Sequence, residues 1–130
     1  MNQSIANITL VVGHYDEAIA FYTGALGFTL LDDIDLGDGK RWVRVAPRGA
    51  AGTALLLAQA ADDDQRAHVG NQTGGRVGFF LHTDDFDRDH AAMLAQGVTF
   101  LEQPRREVYG TVAVFEDLYG NRWDLLEPRA

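Results

Sequence analysis

The stretch Tyr15-Asp16-Glu17-Ala18-Ile19-Ala20-Phe21-Tyr22-Thr23-Gly24-Ala25-Leu26-Gly27-Phe28 decides the fold. Ala18, Ile19, Tyr22, Ala25 and Leu26 follow the i, i+1, i+4, i+7, i+8 spacing of one helical face, which predicts a helix over residues 16–26. Gly27 stops it, as glycine does where a helix closes in left-handed backbone. Residues 5–12 upstream form an apolar strand, and Phe28-Thr29-Leu30-Leu31 resumes an extended run downstream. The Gly37-Asp38-Gly39 tip predicts a hairpin into residues 41–46, and residues 53–58 make a further short strand.

The same order then recurs. Residues 76–82 read as a strand, and 86–96 as a helix with Phe86, His90, Met93 and Leu94 on one face. Gly97 ends that helix, 70 positions after Gly27. Strands follow at 98–102, at 111–116 beyond Pro104, and at 122–127 beyond the turn Asp117-Leu118-Tyr119-Gly120-Asn121. The pattern is βαβββ twice, an internal duplication of α+β class. Module one spans 4–58, a polar linker 59–75 and module two 76–127, together one domain over 4–127. In the linker, Asp62-Asp63-Asp64 reads as helix-start or solvated charge. Asp33, Asp35 and Asp38 miss the calcium-loop spacing, with Gly37 and Arg44 where two ligands belong.

Composition narrows the function. The 130 residues carry a formal charge of −8 and no cysteine. The cysteine count removes disulfides, thiolate metal sites and a Cys nucleophile. The acidic balance argues against nucleic acid and against anionic membrane surfaces. No apolar run approaches a membrane span, and MNQSIAN lacks the basic and apolar regions of a secretory leader, so the expected location is cytoplasmic.

The two modules, the phrase from Tyr15 to Phe28 and the ending Asp117-Leu118-Tyr119-Gly120-Asn121-Arg122-Trp123-Asp124-Leu125 resemble the vicinal oxygen chelate superfamily. That family includes glyoxalase I, extradiol dioxygenases, fosfomycin-resistance thiol transferases and bleomycin-resistance proteins. The resemblance implies one domain whose paired modules curl into a half-barrel cavity, and a homodimer. It also implies three metal-ligand positions, usually His, His and Glu, which fall here on Asn7, Arg76 and Asp124. The fourth-strand Glu of glyoxalase-type enzymes has no counterpart in 53–58. An amide oxygen is a poor ligand for Ni, Zn or Fe. A guanidinium only donates and stays charged, so it repels a cation by several kcal/mol at about 5 Å. The expectation is therefore no metal and no other cofactor.

Two arrangements of these residues are open. Arg76, Asp124 and Asn7 form a satisfied polar cluster, or Arg76 offers its donor fork to an anionic ligand. Strand alternation puts Arg76, Gly78, Phe80 and His82 on one face. His82 and Glu116 are the acid–base candidates. Trp42, Phe80, Tyr109 and Val114 are expected to line an apolar pocket. Thr9 matches a position that lines the site in the thiol transferases. Two functions follow: a binding protein for a small hydrophobic or anionic molecule, or a lyase, dioxygenase or thiol transferase with a non-standard metal site.

Overall fold

Strand β1 (Asn7–Val12) lies parallel to β4 (Ala54–Gln59), with β3 (Lys40–Ala46) and then β2 (Thr29–Gly37) added antiparallel, giving the order β1-β4-β3-β2. This computed structural model describes residues 1–49 and 51–129. It divides into two compact units, Met1–Val69 and a second from Gly70 onward. Parallel strands cannot be joined by a tight turn. In the first unit the route from β1 therefore passes through helix α1 (Tyr15–Ala20), which packs against β3 and β4. Leu10, Val12, Val43, Val45 and Leu57 are buried on that side with Ala18 and Tyr22.

The predicted helix over 16–26 is α-helical only to Ala20; Phe21–Ala25 is a π-helical turn. The Thr23 hydroxyl donates to the Ile19 carbonyl at 2.7 Å, and the Leu26 amide reaches back five residues to Phe21. Such back-bonding competes with the ordinary helical ladder. Gly27, at φ +72°, reverses the chain, and the Phe28 amide closes on the Tyr22 carbonyl at 2.8 Å.

The second unit repeats the plan. β5 (Val77–His82) is parallel to β9 (Arg122–Pro128), which pairs antiparallel with β8 (Gly110–Glu116). Helix α3 (Phe86–Ala95) packs on β9. After β4, still in the first unit, α2 (Asp63–Arg66) is a single turn capped by Asp62, which accounts for the acidic triplet of the linker. The place of β2 is taken by two short strands, β6 (Thr99–Phe100) and β7 (Arg105–Glu107), both paired with β8. The strand expected over 98–102 is thus shorter, and β7 lies between Pro104 and Thr111, where no strand is expected. Its Arg-Arg-Glu sequence and the preceding Pro104 carry no strand pattern. Where β6 breaks off, the Glu102 carboxylate takes the Val114 amide at 2.9 Å, in place of a backbone carbonyl. The core stacks Phe79 on Trp123 at 4.6 Å, with Phe115 beyond it at 5.8 Å.

Both sheets are mixed and open, and no helix among the described residues is long and apolar enough to cross a membrane. The fold is the α+β arrangement of paired βαβββ modules expected from the sequence.

Gly27 and Gly97 share left-handed backbone, at φ +72° and +82°, but not surroundings. A Cβ at Gly27 would come within 2.7 Å of the Arg48 guanidinium, whereas one at Gly97 meets nothing within 4 Å. Gly97→Ala is expected to cost about 1–2 kcal/mol from backbone alone. Gly27→Ala is expected to cost about the same, because the Arg48 guanidinium ends an exposed side chain that can swing aside, so the two variants should show similar drops in the denaturation midpoint.

Candidate functional site

Each sheet has one face against its helix and one face free of helices. In the first sheet, register places Thr9, Leu56, Arg44 and Asp32 in one row across the free face. Trp42 and Asn7 lie on the same face, two residues along β3 and β1 from that row. Asn7, Trp42, Leu56 and Arg44 are half-buried, and Thr9 is exposed. Arg44 ties the row together: Nε donates to Asp32 Oδ2, and Nη1 donates to Asn7 Oδ1 at 3.3 Å.

The matching row in the second sheet is Phe80, Asp124 and Val114. Glu102, whose carboxylate holds the Val114 amide, is 70 residues after Asp32 as Val114 is 70 after Arg44. The next row holds His82, Leu126, Val112 and Arg105. Arg105 donates to Glu102 at 2.9 Å and to Glu107 at 2.8 Å. Tyr109, half-exposed at the hairpin between β7 and β8, also helps keep that guanidinium protonated.

Asp124 is the anomalous group. Its Oδ1 is shut off from solvent and accepts no hydrogen bond among the described residues. Burial pushes its carboxyl above the usual range, Arg105 pulls the other way, and Glu102 adds to the rise. Glu102 itself is held low by its hydrogen bond to Arg105, with desolvation opposing.

Arg76 is placed differently from expectation. It is exposed in the bend before β5, and its guanidinium has no hydrogen bond or ion pair among the described residues. The Arg76–Asp124 pairing is therefore not formed. A bulge at Gly78 breaks the alternation, since Val77 pairs with Arg122 but Phe79 pairs with Trp123. Arg76 and Phe80 thus do not share a face by simple parity. Val77 holds the sheet position that Asn7 holds in the first unit, opposite the strand one row before Asp124's pair. A Cβ on Gly78 would sit 2.4 Å from Thr73 Cγ2, so a side chain there would displace Thr73, and nothing in the period-2 pattern announces the bulge.

His82 and Glu116 are not brought together. His82 aligns with Leu126 and Glu116 with Arg122, four residues apart along β9, or about 13 Å. They cannot pass a proton between them directly. Glu116 bends toward the turn, its Oε2 3.9 Å from the place of a Cβ on Gly120.

The donor set does not fit the family's metal. Asn7's amide oxygen already accepts from Arg44, so a cation there would face a guanidinium at hydrogen-bond range. Val77 and Arg76 supply no ligand. Among the described residues no three His, Cys, Asp or Glu side chains are grouped to hold a metal ion. Arg44 and Glu102 were missed in the sequence; the 70-residue repeat linking Asp32 with Glu102 was the available signal.

Comparison with known proteins fits this construction. Residues 4–125 match the model of the Glyoxalase/Bleomycin resistance protein/Dioxygenase superfamily. The chain is 54% identical over 128 residues to an uncharacterized protein of Shewanella frigidimarina (strain NCIMB 400), covering 98% of this chain and 95% of that protein. It is similar to the crystal structure of UcmS2, with TM-score 0.84, 30% identity and coverage of 98% and 99% of the two chains. It is also similar to TnmS3, an antibiotic binding protein from Streptomyces sp. CB03234, with TM-score 0.78, 31% identity and 98% of each chain covered. With the family model spanning both repeats and the strand order repeated in each unit, the chain belongs to the glyoxalase/bleomycin resistance protein/dioxygenase superfamily.

Proposed function

We propose that this protein binds a small, mainly apolar molecule on its helix-free sheet faces, and that it does so without the metal chemistry of its enzymatic relatives. The observation that carries this reading is the Arg44–Asn7 hydrogen bond, which puts a fixed cation at the family's first metal-ligand position. What lies beside it suits a ligand rather than an ion: Trp42 and Leu56 are apolar on the same face of the first sheet, and Phe80 and Val114 are apolar on the free face of the second. The description of TnmS3 as an antibiotic binding protein agrees with it. Asn7, Thr9, Trp42, Phe80, Tyr109, Val114 and Asp124 are the proposed contacts; Arg76 contributes only as an exposed charge at the edge.

Protein stripped by chelator is expected to show no saturable rise in melting temperature with Mn, Fe, Ni or Zn. Near-stoichiometric metal in untreated protein, or turnover abolished by chelator, would overturn the metal-free reading. A bound ligand should change tryptophan fluorescence through Trp42, because Trp123 is buried in the core stack. Trp42→Phe is therefore expected to remove most of the change while leaving the Trp123 emission.

Asp124 also predicts a pH effect. Its folded-state pKa lies above the unfolded value, so the folded chain binds more protons between the two values, and stability falls as pH rises through that window. Asp124→Asn removes this cost. It is expected to raise the melting temperature at neutral pH, with the gain shrinking as pH drops into the usual carboxylate range.

A further inference from the structure

Along β3 the free face of the first sheet carries Lys40, Trp42 and Arg44, because alternate residues of a strand share a face. Val43 and Val45 go to the helix side and are buried. Arg41 goes there too, bonded to Asp16 and Asp33 at 2.7 Å each and lying over the Tyr15 ring at 5.1 Å. The two cations left on the free face differ. Arg44 is balanced by Asp32 and also donates to Asn7. Lys40, the one lysine in the chain, is exposed, and its ammonium makes no ion pair or hydrogen bond among the described residues. Asp35 is opposite Arg41 and spends its Oδ1 on the Gly37 amide at 2.8 Å. The free face of this sheet therefore holds an unmatched positive charge on a chain whose formal charge is −8.

Between the two cations, Trp42 is half-buried and pairs across the strands with Ile34, which leaves 52% of its surface exposed. Indole and isoleucine form an apolar floor that solvent reaches, with a cation about 7 Å along the strand on either side. That floor is complementary to a flat ring bearing an anionic oxygen at its rim. The ring stacks on Trp42, and the oxygen accepts from the Lys40 ammonium in a charge-assisted hydrogen bond. We propose that the preferred ligands are small planar aromatic carboxylates, with Trp42 as stacking surface and Lys40 as charge partner. The inference rests on the small-molecule reading above, and it gives Lys40 the part that the sequence suggested for Arg76. All the groups involved belong to the first unit.

The test is calorimetric titration of the full chain at low salt with three probes of one ring size. These are 2-naphthoate, an anion at neutral pH, the neutral 2-naphthalenemethanol, and the cation 2-naphthylmethylammonium. Because Lys40 is exposed, naphthoate is expected to bind about threefold to fivefold more tightly than the alcohol, and the ammonium most weakly. Lys40→Gln should bring naphthoate and alcohol to within about twofold of each other, as should raised ionic strength. Arg66→Gln, which removes one exposed charge elsewhere in the unit, should keep the preference. Trp42→Ala should weaken all three probes. An alcohol or ammonium that binds as tightly as naphthoate, a preference unchanged in Lys40→Gln, or binding indifferent to Trp42→Ala overturns the inference while leaving small-molecule binding in place. Failure of all three probes to bind overturns both.

Discussion

The parallel pairing of the first and last strands in each unit is the constraint on which the rest depends. β1 cannot reach β4, nor β5 reach β9, through a hairpin. Each unit must therefore carry its chain away on a helix, and each helix covers one face of its own sheet. The apolar halves of the strands, Leu10, Val43 and Leu57 in one unit and Phe115, Trp123 and Leu125 in the other, go to that face. The opposite faces are then available for residues that no core would accept.

Arginine organises both of those faces, by different means. Arg44 reaches two partners, Asp32 and Asn7, and the cluster closes without surplus charge. Arg105 is drawn to Glu102 and Glu107, so Asp124 keeps no direct cation among the described residues. Half-buried ion pairs of this kind contribute little net stability, because desolvation offsets most of the attraction. Their effect is on position: they fix where each guanidinium and carboxylate sits on the sheet face.

Much of the fold was legible because the repeat is written in local signals. The helical periods, the two terminating glycines and the hairpin at Gly37-Asp38-Gly39 each depend on residues close in sequence. The readings that failed depended on partners far away. The π turn needs the Thr23 hydroxyl to find a particular carbonyl. β7 exists because β8 offers it an edge, and its own composition does not argue for a strand. The bulge at Gly78 shifts the pairing of β5 with β9, so that strand parity no longer puts Arg76 and Phe80 on one face.

The sequence by itself determined the duplicated βαβββ plan and the family, because residue types and their spacing carry that information. Only the tertiary structure decided which charges meet. Arg44 meets Asp32 and Arg105 meets Glu102 because strand register brings them within hydrogen-bond distance, whereas Arg76 lies in the bend before β5, outside those rows. A hydrogen bond needs its partners within about 3 Å, and which side chains come that close is set by the register of strands distant in sequence.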